Sequence, residues 1–193
     1  MNDYGTVIAP GTIRFQRLLP GPIERIWEYI TDSAKRGTWL ATGPMELRPG
    51  ASFALHFRHA DLTPHDEEVP ERFAAMKEGM SLPATVIACE PPRLLVHSWG
   101  GGTDASEVTY ELSAQGDRVL LVLTHRRLEG EGMLQVAGGW HTHLDILEAR
   151  ITDRTPPPFW KTHARLERDY AERLAAGTGQ VTAAAATKRR QTA

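Results

Sequence analysis

Between residues 82 and 127 the chain lays down four β-type runs in quick succession, "LPATVIACE" (82–90), "RLLVHSW" (93–99), "SEVTYELS" (106–113) and "DRVLLVLTHRR" (117–127). The short breaks between them carry "PP", "GGGT" and "QGD", all turn-type composition. Gaps this short cannot hold the crossovers that parallel strands need, so the four runs predict an antiparallel meander. A stretch of helical periodicity, about 131–152, follows at once. An antiparallel sheet that wide must bury one face, and a single helix is only ~10 Å across. A curved sheet around one long helix is the packing these residues demand, and it tends to leave room between the two.

The rest of the chain extends this plan. "TIRFQRLL" (12–19) alternates as a strand, "PGP" breaks it, and "IERIWEYIT" (23–31) sets Ile23, Ile26, Trp27 and Ile30 at helical spacing behind Pro22 at the first helical position. Asp32 or Ser33 caps a second short helix through "AKRGTWL". "PMELRPGASFALHFR" (44–58) reads as two strands joined at "PG", with Phe53, Leu55 and Phe57 on one face, which brings the expected sheet to about seven strands. Residues 59–80 interrupt the pattern as an acidic insertion, helical from about Pro70 to Glu78, that is placed as a lid. After "PPP" (156–158) a further helix is predicted over 159–175.

The expected organisation is an N-terminal segment (1–11), one α+β domain (12–176) and a disordered tail (177–193) whose "GTGQVTAAAATKRRQTA" has almost nothing to bury. The net charge is −2, and near −5 once Lys188, Arg189 and Arg190 are set aside, so no nucleic-acid surface is expected on the body. The one cysteine, Cys89, permits no internal disulfide and reads as a small buried hydrophobe in a reducing compartment. No signal peptide is visible, and no window approaches a membrane span, so the expected location is cytoplasmic.

"AGGWHTHLDILEARI" (137–151) carries the densest chemistry. On a helical wheel centred on Trp140, Met133, Val136, Leu144, Leu147 and Ile151 fall within about 40 degrees, His143 about 60 degrees to one side and His141 about 100 degrees to the other. His141 is therefore expected at the flank or in solvent, with Asp145 pointing outward. The two histidines stand two residues apart and do not share a face, which is the wrong spacing for helical metal chelation. His56, His59 and His65 match no zinc pattern and read as exposed loop residues. There is no Gly-x-Ser-x-Gly elbow, and "GGGT" (100–103) leads into a strand, so it is a hairpin turn rather than a phosphate loop. Gly138 and Gly139 permit close approach of another backbone, widen a cavity, or mark a bend.

What remains is a cavity wall. The candidate ligand-binding residues are Trp39 near the mouth, Phe53, Leu55 and Phe57, His97 and Trp99 on one strand face, and Val136, Trp140, His143, Leu144 and Leu147 on the helix. No catalytic residue, metal or cofactor is assigned.

"TIRFQRLLPGPIERIWEYITD", "CEPPRLLVHSW", "SEVTYELSAQGDRVLLVLTHRRL" and "GGWHTHLDIL", in that order, resemble the START-like (SRPBCC) superfamily and within it the group named after activators of the Hsp90 ATPase homologue. The resemblance covers roughly residues 10–152. It implies a helix-grip fold and a deep apolar cavity that takes a small hydrophobic or lipid-like molecule. It does not imply a chaperone-activating role, because in the eukaryotic proteins that involves sequence outside the shared domain. The insertion and the helix after "PPPFW" depart from the family pattern and reshape the cavity mouth. Phe159 and Trp160 would cap the domain or support a homodimer, a monomer being equally compatible. The leading expectation is a non-enzymatic binder in which Trp140→Ala spares the fold and abolishes binding. The alternatives are an enzyme using His97 or His143 as acid/base with Tyr110, Glu111 or an insertion acid as partner, and a stress-related or regulatory interaction module using the 59–80 insertion and the charged 159–175 helix.

Overall fold

The computed structural model describes the backbone of residues 4–128 and 132–190, with side chains described as far as Ala175. Seven strands, β1 (Thr6–Ala9), β2 (Thr12–Pro20), β3 (Ser52–Phe57), β4 (Met80–Glu90), β5 (Leu94–Trp99), β6 (Ser106–Gln115) and β7 (Arg118–Arg126), form one sheet in the order β1-β2-β7-β6-β5-β4-β3. Every neighbouring pair is antiparallel. The count is as expected, but one member differs. Residues 44–49 are not a strand, and only Thr42 bridges to His56 there. Pro44 and Pro49 lack the N–H that a ladder needs. The seventh strand is β1, inside the N-terminal segment. All four of its residues are exposed, so no alternation marks it in the sequence.

Period-two alternation sets the inner face. Along β2, Ile13, Phe15, Arg17 and Leu19 are buried and the residues between them are not. Register then builds cross-sheet rows. Phe15, Leu123, Tyr110 and Leu95 stand side by side, and Ile13, His125, Val108, His97 and Val86 make the next row. Two histidines thus lie within the second of these rows, otherwise aliphatic. At the β5–β6 hairpin Gly100 and Gly102 take φ of +97° and +83°, a region where glycine has no steric penalty.

Helices α1 (Ile23–Thr31) and α2 (Ser33–Gly37) follow β2. Pro22 stands one residue before the helix rather than at its first turn. The Asp32 side chain accepts from the Lys35 N–H at 2.8 Å, so of the two candidate caps Asp32 is the one used. Asp32→Ala is expected to cost about 1 kcal/mol in urea unfolding. Arg36, almost fully buried, donates to the carbonyls of Ile30, Thr31, Ala41 and Gly43. A guanidinium whose donors are met by carbonyls can stay buried without a counter-charge. It fixes the turn that carries Trp39.

Helix α3 (Gly132–Ile151) lies across the inner face of the sheet, and α4 (Phe159–Arg190) packs on its other flank. The second cover changes the fate of His141 and Asp145. His141 is buried, with Nδ1 3.0 Å from the Tyr170 hydroxyl, and that hydroxyl accepts from the Gly5 N–H at 2.6 Å. Asp145 is 3.3 Å from the buried Arg17 guanidinium of β2. His141 is shut off from solvent and Asp145 keeps only partial exposure, because α4 and the N-terminal segment close the side that a single-helix plan leaves open. Cys89 is half-buried rather than buried. The expected tail, 177–193, lies outside the residues whose side chains are described. Among the described residues no helix is long and apolar enough to cross a membrane.

Candidate functional site: a cavity walled by aromatics and histidines

A cavity of about 210 Å³ opens where β3–β5, the first half of α3, the start of α4 and the 59–80 insertion meet. The sheet supplies Phe57, Met80, Leu82 and Trp99. From α3 come Gln135, Val136, Gly139, Trp140 and His143, and from α4 Phe159, Trp160 and His163. The insertion adds His59, Phe73 and Met76. No Asp, Glu, Lys or Arg is among these lining residues.

The two adjacent glycines of α3 have separate jobs. A Cβ on Gly138 would sit 3.1 Å from Glu167 Cγ of α4, so this glycine lets the helices approach. A Cβ on Gly139 would meet nothing within 4 Å, because this residue faces the cavity. Gly139→Ala should therefore recover helix propensity without a clash, about 1 kcal/mol, seen as a melting temperature about 2–4 °C higher by calorimetry.

The insertion closes over the cavity and is pinned to α4. Its Glu67 carboxylate accepts from the N–H groups of Trp160 and Lys161, both at 3.0 Å, which satisfies two free donors at the helix N-terminus. Arg72 pairs with Glu167, whose side chain is nearly buried. Phe73 stacks on Trp160 with centroids 5.1 Å apart, and His65 donates to the Pro156 carbonyl at 3.1 Å. The expected helix at 70–78 is a tighter 3₁₀ segment, Glu71–Met76.

The hydrogen bonds fix which ring nitrogens carry protons. Trp140 Nε1–H donates to His125 Nδ1 at 2.9 Å, so His125 donates from Nε2 to Ser106 Oγ at 2.8 Å, and the Ser106 hydroxyl donates to the Trp99 carbonyl at 3.3 Å. His143 donates from Nδ1 to the Trp39 carbonyl at 2.7 Å. His97 donates from Nδ1 to the Ser98 carbonyl at 2.8 Å. Burial holds these rings neutral, pushing His143 and His125 down to about 3 and His97 and His59 down to about 4. His163 is lowered by burial too, against the opposing pull of Glu167.

Of the residues expected at the site, Phe57, Trp99, Val136, Trp140 and His143 line the cavity. The others do not. Trp39 is fully buried, with Nε1 donating to the Tyr29 carbonyl at 2.8 Å, and it reaches the site only through its own carbonyl. Leu55, Leu144 and Leu147 are sealed in the packed core. Phe53 lies edge-on to His97, and His97 is closed in by Phe53, Trp99 and Tyr110. Two further expectations are corrected. His59 is not an exposed loop residue, since its ring packs 4.4 Å from Phe159 and 5.6 Å from His143. The proposed acid/base partner Glu111 is exposed on the outer face. Among the described charges of α4, Arg165 lies on Asp169 at i,i+4, Glu167 on Arg72 and Arg173 over the Tyr4 ring. Among the described residues no group of three or more His, Cys, Asp and Glu could hold a metal ion.

A seven-stranded antiparallel sheet gripping a long helix, with a cavity between them, is a START-like helix-grip domain. The family model described as "Activator of Hsp90 ATPase homolog 1-like protein" matches residues 20–152, and the chain belongs to that family. Among solved structures it is similar to the protein encoded by gene BPP1335 of Bordetella parapertussis, with 47% identity, 89% of this chain and 91% of that one covered, and a TM-score of 0.76. It shares its fold with CalU16 from Micromonospora echinospora (24% identity, 88% and 93% covered, TM-score 0.63). It also shares its fold with DynU16, from the dynemicin biosynthetic locus (18% identity, 76% and 49% covered, TM-score 0.59). No curated protein matches the chain.

Proposed function

We propose that this protein binds a small, largely apolar organic molecule in the cavity between the sheet, α3 and α4, without transforming it. The observation that carries this reading is the cavity itself, 210 Å³ walled by Phe57, Trp99, Trp140, Phe159 and Trp160. A cavity of ~150 Å³ in a protein core holds benzene, so this one suits a body of one or two rings. Removing such a body from water supplies ~25 cal/mol per Å² of apolar surface before the costs of ordering. That DynU16, of the same fold, comes from a biosynthetic locus agrees with a small-molecule role.

The cavity histidines are poorly matched to proton transfer. A general acid or base works best with a pKa near the operating pH, and burial holds His143 at about 3. His97, the other candidate, is sealed off from the cavity.

Native mass spectrometry on gently purified protein tests the proposal. The expected result is a mass carried by the folded protein and lost on denaturation. Bare folded protein that also takes up no naphthalene at saturation would contradict it.

A further inference from the structure

The polar groups of the cavity are three imidazoles and, exposed at the rim, the Gln135 amide, and one of the imidazoles has its hydrogen-bonding role fixed. His143 spends its Nδ1 proton on the Trp39 carbonyl, 2.7 Å away, and that carbonyl sits on the turn clamped by buried Arg36. A neutral imidazole has one donor and one acceptor. Nε2 is then the acceptor of a ring that lines the cavity, and it takes no hydrogen bond from the described residues. The two neighbouring rings offer less, since His59 Nδ1 and His163 Nδ1 are sealed from the open space and make no hydrogen bond, with Glu167 3.9 Å from the latter. Buried polar groups are ordinarily satisfied, and those at a cavity wall are where a ligand completes the set. Trp140 offers nothing here, because its N–H is committed to His125. Among the described lining side chains a charged ligand would find no counter-ion.

We infer that the ligand is uncharged and carries a hydroxyl or N–H group that it donates to His143 Nε2, with its apolar rings against Trp99, Trp140 and Phe159. This rests on the cavity being the binding site. Burial supplies the neutral ring that this requires, keeping His143 uncharged at ordinary pH. The Trp39 carbonyl acts as a positioning group, holding the ring in the tautomer that accepts.

The test compares four probes on one set of rings by isothermal titration calorimetry: 2-naphthol, 2-methoxynaphthalene, naphthalene and 2-naphthoate. A net hydrogen bond predicts that 2-naphthol binds about tenfold more tightly than 2-methoxynaphthalene or naphthalene, and that 2-naphthoate binds worst. Two variants separate the bond from the packing. His143→Asn keeps an amide near the Nδ1 position and loses the acceptor, so the preference for 2-naphthol should fall to near parity while naphthalene still binds. His143→Gln places an amide near the Nε2 position and should keep part of the preference. If naphthalene binds wild type but the hydroxyl adds nothing, or if 2-naphthoate binds best, this inference is wrong and the cavity reading stands. If no probe binds folded wild type, both are overturned.

Discussion

Lowering the pH from 7 to 4.5 is expected to strip away most of this protein's stability. His97, His125 and His143 are buried and neutral, with pKa values of about 3–4 in the folded state. In the unfolded chain each titrates near 6.5. Above 6.5 neither state binds the proton and the groups are indifferent. Below it the unfolded chain takes up protons that the folded protein refuses, so stability falls as pH falls, until the folded pKa is reached. Each group contributes ~1.4 kcal/mol per pH unit inside that window, and the three together give ~8 kcal/mol between pH 6.5 and 4.5. That is comparable to the whole stability of a typical domain, about 5–15 kcal/mol. His59, His141 and His163 shift in the same direction and can only add to it. Urea midpoints measured at half-unit steps from pH 8 to 4 should be flat above 7 and fall steeply below 6. A midpoint flat down to pH 4.5 would mean that these rings are solvated.

Trp140→Ala is expected to destabilise by about 3–5 kcal/mol, the range for removing a large buried aromatic. This reverses the expectation drawn from the sequence, that the fold would be spared. Trp140 does line the cavity, but it is also a core residue, 3% exposed, packed against Trp99 at 5.0 Å and Tyr110 at 6.1 Å between centroids. Its removal orphans His125 Nδ1 and loosens the relay through Ser106. Trp140→Phe keeps a ring and loses the hydrogen bond, so it should cost less than Trp140→Ala. Chemical denaturation of both variants checks this, and a cost below 1 kcal/mol for Trp140→Ala would show that the side chain belongs to the cavity alone. Loss of binding in Trp140→Ala is for the same reason a poor test of the site, since it is confounded with loss of fold.

The contrast shows what the sequence could disclose. Periodicity alone placed Val136, Trp140 and His143 on one face of α3, and strand phase gave Phe57 and Trp99, because these depend on local geometry. His141 lay beyond that reach. Its burial is decided by α4 and by Tyr170, which a wheel for α3 does not contain. Chain position puts Trp39 near the mouth, whereas the hydrogen bonds of Arg36 fix a turn that carries it into the core. His59 and His163 come together only because the insertion docks on α4 through Glu67 and Arg72, a contact between segments with no shared periodicity. The Gly138–Gly139 pair was legible as a special position, but only the distance to Glu167 separates the helix-crossing glycine from the cavity-facing one.

Gly139→Leu puts the central claim to its most direct test. The new side chain grows into open space from the helix that forms one wall, and leucine favours the helix over glycine. Titration of naphthalene into wild type and Gly139→Leu, each first shown to be folded by thermal melting, should give binding to the first and none to the second, with the variant melting no lower than wild type. Equal binding by a well-folded Gly139→Leu protein would place the ligand elsewhere and contradict the account.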